Sequence, residues 1–347
     1  MSILAPLCQQ LKHQFTPKKQ TTSKPVGYWS EKDRLHDSVA DAFVIILRTR
    51  GCSWAHSSGC SMCGYFNDSN WNDIVEEQIQ NQFKTAMKHY TNQPIIKIFN
   101  SGSFFDTQEL PPTTQQVILA ESNQYTEKIV VESRPEFITN KIVNKLEKNN
   151  MNKKIEVGIG LETANDHIRT HAINKGFTYN DFKKAATILK NHHIGIKTYL
   201  LIKPPLLTEQ EAIDDTLSSI KIINDISTTI SLNPCNIQRH TVVEYLWKRQ
   251  YYRPPWLWSI IDILKKSSQL TNTRIQCDIA GGGSSRGAHN CPECNRNCLD
   301  AIHQYSLTQD TSYLTKPKCD CKDLWKTQCL NEQQTFGSLN DYQKVTI

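Results

Sequence analysis

Short apolar runs alternate with polar stretches of helical spacing along most of the chain. "DAFVIILRT" (Asp41–Thr49) is rich in β-favouring residues, while "IVEEQIQNQFKTAMKHY" (Ile74–Tyr90) carries its apolar residues at helical intervals. The alternation continues with strand-like "PIIKIFN" (94–100), a helix around Gln115–Ser122, a strand at Lys128–Ser133 and a helix near Asn140–Asn149. A strand at Lys154–Thr163, a helix at Tyr179–His193, a strand at 196–205, a helix around Glu209–Asn224 and a strand at Thr228–Cys235 follow. Six strand–helix alternations, each apolar run bounded by turn residues, predict a parallel sheet with helices outside. Polar clusters fall at the C-terminal ends of the predicted strands, where α/β barrels build active sites.

Three segments result. Residues 1–40 read as a polar N-terminal extension with helical fragments and a basic bias from Lys12, Lys18, Lys19 and Lys24. Residues 41–275 hold the alternating units. Residues 276–347 begin with "AGGGSSRGAHNCPECNRNC", a glycine-rich hinge opening a cysteine-rich module.

Length and composition narrow the class. At 347 residues, 38% hydrophobic and 21% charged, the chain is expected to be globular. No apolar run reaches the roughly 18 residues of a membrane helix. The N-terminus lacks the apolar core of a secretory signal, so a cytoplasmic location is expected. In that setting twelve cysteines favour metal over disulfides. A net charge of +6 allows an acidic partner without requiring one.

The cysteines fall in two groups. "GCSWAHSSGCSMCGY" (Gly51–Tyr65) spaces Cys52, Cys60 and Cys63 as C-x7-C-x2-C at the end of the first predicted strand. Zinc with His56 as fourth ligand is one reading; an iron–sulfur cluster with one iron left open is another. Near the C-terminus, Cys291 and Cys294 form C-x2-C, and Cys319 and Cys321 form C-x-C. Such pairs are a zinc signature, with Cys298, Cys329 and His289 as substitutes in the ligand set and a second iron–sulfur cluster as the alternative.

A third feature is "NIQRHTVVEYLWKRQYYRPPWLWS" (Asn236–Ser259). It interleaves Arg239, Lys248, Arg249 and Arg253 with six tyrosines and tryptophans. Basic groups neutralise phosphates and aromatic rings stack unpaired bases, which suits structured RNA. An amphipathic helix with an aromatic core face would account for the aromatic residues equally well.

Taken together, the three-cysteine loop after the first strand and the glycine-containing loop after the second resemble radical S-adenosylmethionine (SAM) enzymes. The commonest spacing there is C-x3-C-x2-C, so the first gap here is longer. "GLETANDHIRTHAINKGFTYNDF" (Gly160–Phe182) resembles the Elp3-like branch, and "SRGAHNCPEC", "HQYSLTQD" and the basic–aromatic segment resemble its archaeosine-biosynthesis members over roughly residues 27–330. The resemblance implies an incomplete parallel (β/α)6 barrel with a small zinc-bearing C-terminal module. It implies a 4Fe–4S cluster on Cys52, Cys60 and Cys63, whose open iron chelates SAM and yields a 5′-deoxyadenosyl radical.

Met62 then matches an apolar position near the adenine, and Ser101, Gly102 and Ser103 match the loop that holds the SAM amino group. Glu132, Ser133, Arg134 and Glu162 match positions that contact SAM or substrate; an ion pair at the barrel rim is the plainer reading of each. Lys197 and Lys203 are open to the same two readings. The implied substrate is tRNA whose position 15 carries 7-cyano-7-deazaguanine joined to lysine, and the implied partner is the archaeosine synthase subunit that attaches the lysine. A non-catalytic zinc RNA-binding protein, with both cysteine groups structural, and another Elp3-like tRNA modifier are the rival expectations.

Overall fold

A computed structural model describes residues 3–14, 21–149 and 154–332. After α1 (Ala5–His13), eight strands lie in one sheet in chain order. β1 (Gly27–Leu35) pairs antiparallel with β2 (Ser38–Ile46). From β2 onward all pairs are parallel, through β3 (Ile95–Phe99), β4 (Lys128–Glu132), β5 (Ile155–Glu162), β6 (Gly195–Ile202), β7 (Thr229–Pro234) and β8 (Arg274–Cys277). This is the incomplete parallel barrel expected from the sequence, with two strands more than the six units read there.

The extra strands lie at the two open edges. β1 occupies part of the segment read as a helical, polar lead-in, and among the described residues before it α1 is the one helix. Its sequence, "GYWSEKDRL", buries Asp33 rather than an apolar side chain near the end of the strand. Lys18 and Lys19 lie outside the described residues, and Lys12 is buried rather than solvated.

Strand periodicity sorts the side chains into two faces. Ile129 and Val131, Val157, Ile159 and Leu161, and Ile196, Leu200 and Ile202 point outward into one continuous core. The helices opposite them include α3 (Glu76–Met87), α4 (Pro112–Tyr125), α5 (Asn140–Lys148), α7 (Tyr179–Asn191), α8 (Glu209–Ile223) and α10 (Leu257–Ser267). Thr178 with Asp181, and Thr208 with Glu211, form capping boxes that start α7 and α8 sharply after their loops.

The inward face is polar. Near the N-terminal ends of the strands Lys97 reaches Glu31 at 2.7 Å and Asp33 at 2.5 Å, and Lys128 reaches Glu156 at 2.9 Å. Lys197, buried over the Tyr199 ring at 5.7 Å, belongs to the same layer. Burial lowers its pKa to about 8, with the Lys97 charge adding to the effect and Asp33 and Glu156 opposing it. These charges plug the base of the barrel and leave the other end free for a site.

The cysteine-rich segment packs into the same core. α11 (Pro292–Thr308) lies on β8 and α10 and reaches β1 and β2, while α12 (Cys321–Glu332) lies on α8. Cys294, Cys298, Ile302, Tyr305 and Trp325 join the cluster that covers the strands. The glycine run before it is a closed turn rather than an open hinge. Gly283 N–H donates to the Ala288 carbonyl at 2.9 Å, and a Cβ on Gly287 would stand 2.1 Å from the Gly281 oxygen.

Candidate metal and cofactor site

The loop after β2 carries the first three cysteines over the C-terminal rim of the sheet. Cys52 precedes α2 (Ser53–Ser57), a helical turn that takes up most of the long first gap. Its Trp54 indole N–H donates to the Asn174 carbonyl at 2.8 Å, and the Asn174 amide donates to Ser58 Oγ at 2.9 Å and the Gly59 carbonyl at 2.8 Å. Further on, the Ser61 hydroxyl donates to the Ala172 carbonyl at 2.6 Å and its N–H to that of Ile173 at 2.8 Å. Those acceptors lie at the end of a short helix, α6 (Asp166–Ile168), and the π-helical turn Arg169–Ile173 that continues it. π-turns recur at functional sites, and this one grips the cysteine loop from the β5 side.

Cys52, Cys60 and Cys63 are all half-buried and free. They stand apart from the C-terminal quartet Cys291, Cys294, Cys319 and Cys321, whose four sulfurs lie close enough to share one ion. Burial pushes the Cys52 and Cys63 thiols up, so metal uptake there releases protons. Positive groups oppose that effect: Arg134 acts on Cys52 and Lys175 on Cys63. The exposed His56 ring meets the Arg50 carbonyl at 3.0 Å and the edge of Trp71 at 4.9 Å. Met62 and Cys60 pack against a small apolar cluster that includes Ile173, Leu201 and Val243.

The loop after β3 closes directly on Cys52. A Cβ on Gly102 would stand 2.7 Å from the Cys52 Cα and 2.0 Å from a Glu109 oxygen, so only glycine leaves this cradle open. Glu109 organises the loop by accepting from the Ser103 N–H at 2.7 Å and the Thr49 hydroxyl at 2.5 Å. Burial pushes its carboxyl up to about 7, against the pull of those two donors. Asn100, buried beside it, turns its side-chain amide toward the same carboxylate and adds to that pull. An open glycine cradle against Cys52 and three thiols next to cationic groups fit a cluster with a bound amino-acid ligand.

The remaining candidates meet at the same rim. Ser103 Oγ accepts the Arg134 N–H at 3.0 Å, and Ser133 N–H donates to the Gly158 carbonyl at 2.9 Å. The Arg134 guanidinium donates to the Lys175 carbonyl at 3.0 Å and to Glu136 at 2.5 Å, between the Trp54 and Phe177 rings. It is a framing residue as well as a charge. Glu162, at left-handed φ 69° beside a bulge, pairs with Lys175 at 2.6 Å. Burial raises the Glu132 pKa, and the Tyr199 hydroxyl bonded to it opposes the rise. Gly158 and Gly160 make room: a Cβ would strike Tyr199 at 2.7 Å in the first case and Glu162 at 2.7 Å in the second. Lys203 is turned away into a buried pair with Glu209 at 2.7 Å.

Sequence reasoning missed Lys175 and Glu109. Lys175 lies inside the quoted "AINKGF" stretch, and its position after a π-turn is visible only in three dimensions. Glu109 follows its loop by several residues and offers no spacing signal.

The second cysteine group converges. Cys291 Sγ lies 3.6 Å from Cys294 and 3.4 Å from Cys319, and Cys294 lies 3.5 Å from Cys321. A tetrahedral ion with metal–sulfur bonds of ~2.3 Å needs edges of ~3.8 Å, so the quartet fits one ion. Trp258 Nε1 donates to Cys321 Sγ at 3.2 Å and Asn290 Nδ2 to Cys294 Sγ at 3.5 Å, as outer-shell donors to thiolates do. Cys298 and Cys329 are core residues outside the quartet, and His289 bonds the Gly287 carbonyl at 2.8 Å.

The basic–aromatic segment splits in two. α9 (Val242–Lys248) and the residues after it expose Lys248, Arg249 and Tyr251, and Arg239 is exposed just before. Arg253 instead donates to the His289 carbonyl at 2.7 Å and stacks over Trp256 at 4.0 Å.

No family model matches the chain. It is 37% identical over 335 residues to archaeosine synthase subunit beta of Methanosarcina acetivorans, covering 95% of this chain and 96% of that one. To archaeosine synthase subunit beta of Thermococcus kodakarensis it is 39% identical over 328 residues, covering 92% and 99%. Among solved structures it is similar to queuine lyase from Clostridium spiroforme bound to SAM and queuine, with 21% identity and TM-score 0.46 over 64% of this chain and 89% of that one. It is also similar to the Elp3 protein of Methanocaldococcus infernus, with 16% identity and TM-score 0.47 over 68% and 60%. On identity sustained over nearly the full length of both relatives, the chain belongs to the archaeosine synthase subunit beta family.

Proposed function

We propose that this chain is a radical SAM enzyme of tRNA modification. On this reading it cleaves the lysine C–N bond of lysine-adducted 7-cyano-7-deazaguanine at tRNA position 15, leaving archaeosine. The observation that carries the reading is the cysteine trio at the barrel rim, with the open Gly102 cradle against Cys52 and the cationic Arg134 and Lys175 acting on Cys52 and Cys63. Cys52, Cys60 and Cys63 would hold a 4Fe–4S cluster, and the cluster with SAM supplies a carbon radical able to remove a hydrogen atom from an ordinary C–H bond.

The chain's own residues do the rest. The backbone of Ser101, Gly102 and Ser103 receives the amino-acid end of SAM, and half-buried Met62 supplies an apolar surface for the adenine. Glu132 and Glu162 present carboxylates at the barrel mouth, and Ser133 and Arg134 fix the strand end that carries them. The lysine carbon beside the linking nitrogen would lose a hydrogen atom to the SAM-derived radical and then one electron, with the oxidised cluster as acceptor. Water would then replace the nitrogen on that carbon with release of a proton, leaving the amidine and the lysine remnant as an aldehyde. Residues 41–275 carry this chemistry, and the segment from 276 onward supports it through one structural zinc on Cys291, Cys294, Cys319 and Cys321. Arg239, Lys248 and Arg249 approach the tRNA phosphates. The relatives' name, subunit beta, supports a partner subunit that attaches the lysine.

Full-length protein purified anaerobically, reduced, and incubated with SAM and lysine-modified tRNA is the test. Mass spectrometry should find archaeosine and 5′-deoxyadenosine, and Cys60→Ala should abolish both. Colourless protein with two zinc ions and no iron would sink the proposal in favour of a non-catalytic zinc RNA-binding protein.

A further inference from the structure

The long gap between Cys52 and Cys60 is held by a helix outside the sheet. α1 lies against α9, and its Lys12 is only 7% exposed. The Lys12 ammonium donates to the Ser58 carbonyl at 3.0 Å and the Ala55 carbonyl at 3.3 Å, at the C-terminal end of α2, and lies 5.3 Å over the Phe66 ring. Gln9, one turn earlier, donates to the Ser57 carbonyl at 2.5 Å. A cation is favoured where a helix ends in unpaired carbonyls, and here two side chains of one helix serve one five-residue turn.

Gly59 makes the arrangement specific. It sits at φ +88°, and a Cβ there would lie 1.3 Å from the Lys12 nitrogen. The ammonium therefore occupies the space that any other residue would fill, one residue before Cys60. The same face of α1 buries Cys8, whose thiol burial pushes up to about 11, so that it stays protonated beside the trio at neutral pH.

We infer that Lys12 is a positioning residue of the cluster site, and that α1 and the seven-residue gap are one unit. The inference rests on the trio holding an iron–sulfur cluster. Lys12 fixes the turn that delivers Cys60 and places a positive charge next to that ligand. Each added electron makes a cluster more negative, so a nearby cation favours the reduced form, and cluster potentials respond to such charges and to hydrogen bonding. The longer gap is thus explained physically: the added residues create carbonyl acceptors for a helix that brings the cation.

Three variants of the full chain separate the two contributions. Lys12→Met removes the bonds and the charge, Lys12→Gln keeps a donor without charge, and Lys12→Arg keeps the charge. Hydrogen exchange is read on the metal-free protein, with the β3–β6 amides as internal control for folding. Lys12→Met should speed exchange at 56–60 by about tenfold or more, the loss of a charged hydrogen bond, with the strands unchanged. Lys12→Gln should recover part of that protection.

After anaerobic reconstitution, the midpoint potential followed by electron paramagnetic resonance should be more negative in Lys12→Met and Lys12→Gln, and closer to wild type in Lys12→Arg. Unaltered exchange in folded Lys12→Met, or an unaltered potential in an iron-replete Lys12→Met, overturns the inference and leaves the cluster reading standing. A wild-type protein that takes up no iron overturns both. If Lys12→Met does not fold, the Lys12→Gln and Lys12→Arg pair decides: equal potentials in those two overturn the electrostatic role.

Discussion

The Arg274 guanidinium meets the Asp33 carboxylate at 2.6 Å, joining β8 to β1 across the open seam of the barrel. The same guanidinium donates to the Arg34 carbonyl at 3.2 Å, and Arg34 donates to the Leu307 carbonyl at the end of α11 at 3.0 Å. The edges of the sheet are tied by charge where a closed barrel would use a ladder. Asp33 is 6% exposed and also pairs with Lys97 at 2.5 Å. Removing its charge leaves buried Lys97 paired with Glu31 and half-buried Arg274 with the Arg34 carbonyl, and breaking a buried ion pair typically costs up to about 3–5 kcal/mol. Asp33→Asn should lose stability on that scale in chemical denaturation while keeping its capacity for iron uptake. Loss of iron with stability unchanged would contradict this assignment.

The pH dependence follows from the same pair. Burial alone would push the Asp33 carboxyl up, but the Lys97, Lys197 and Arg274 charges more than reverse it and hold it well below the usual range. A depressed folded pKa contributes stability that is present above the unfolded value of about 3.9 and disappears as pH falls toward the folded value. The protein should therefore lose stability progressively below about pH 4. The acid limb of an Asp33→Asn denaturation series should be flatter than that of wild type.

Glu109 has the opposite sign. Its carboxyl is raised to about 7 by burial, so its contribution is complete below the unfolded value and declines as pH rises through 7. From about pH 4.3 to pH 7 this amounts to at most about 4 kcal/mol. Metal-free wild type should weaken over that window in denaturation at stepped pH, and Glu109→Gln should not. A Glu109→Gln protein with the wild-type slope would place the titrating group elsewhere.

What the sequence made legible follows from what each element buries. The six inner strands bury apolar side chains outward against helices, so they read as short Ile- and Val-rich runs. β1 and β8 are stabilised through Asp33 and Arg274, so their sequences, "GYWSEKDRL" and "RIQC", look like loop. The C-terminal cysteine quartet was legible because ligand spacing is dictated by one ion's coordination. Lys12 could be seen only as a basic residue, since its acceptors lie more than forty positions away. Glu109 was equally hidden, its Thr49 partner being sixty residues upstream.

The quartet predicts one tightly held metal per chain that is independent of the trio. Cys321 and Cys294 lie in the same core as the strand faces, next to Trp258 and Trp325. Losing the ion should therefore lower the melting temperature of the whole protein rather than loosen a tail. Cys319→Ser should lose that metal in elemental analysis and melt earlier, whereas Cys60→Ala should retain it. A Cys319→Ser protein that keeps both metal and melting temperature would remove Cys319 from the ligand set.

Arg249 and Arg253 lie four residues apart, yet their surroundings assign them different work. The exposed Arg249 guanidinium lies 3.7 Å from the Tyr245 ring centre and, among the described residues, donates to the Tyr245 carbonyl alone, at 3.2 Å, which leaves most of its donors for a phosphate. Arg253 spends its donors on the Pro254 carbonyl at 2.9 Å and the His289 carbonyl at 2.7 Å, tying the Pro-Pro segment to the residues just before the quartet. Arg249→Ala should weaken tRNA binding and lower the slope of log affinity against log salt by about one, with stability changed by no more than about 0.5 kcal/mol. Arg253→Ala should lose about 1–3 kcal/mol of stability through its unpaired carbonyls, with the salt slope unchanged. Fluorescence anisotropy across a salt series, paired with denaturation, separates the two. If Arg253→Ala flattened the salt slope at wild-type stability, Arg253 would belong to the RNA-binding face instead.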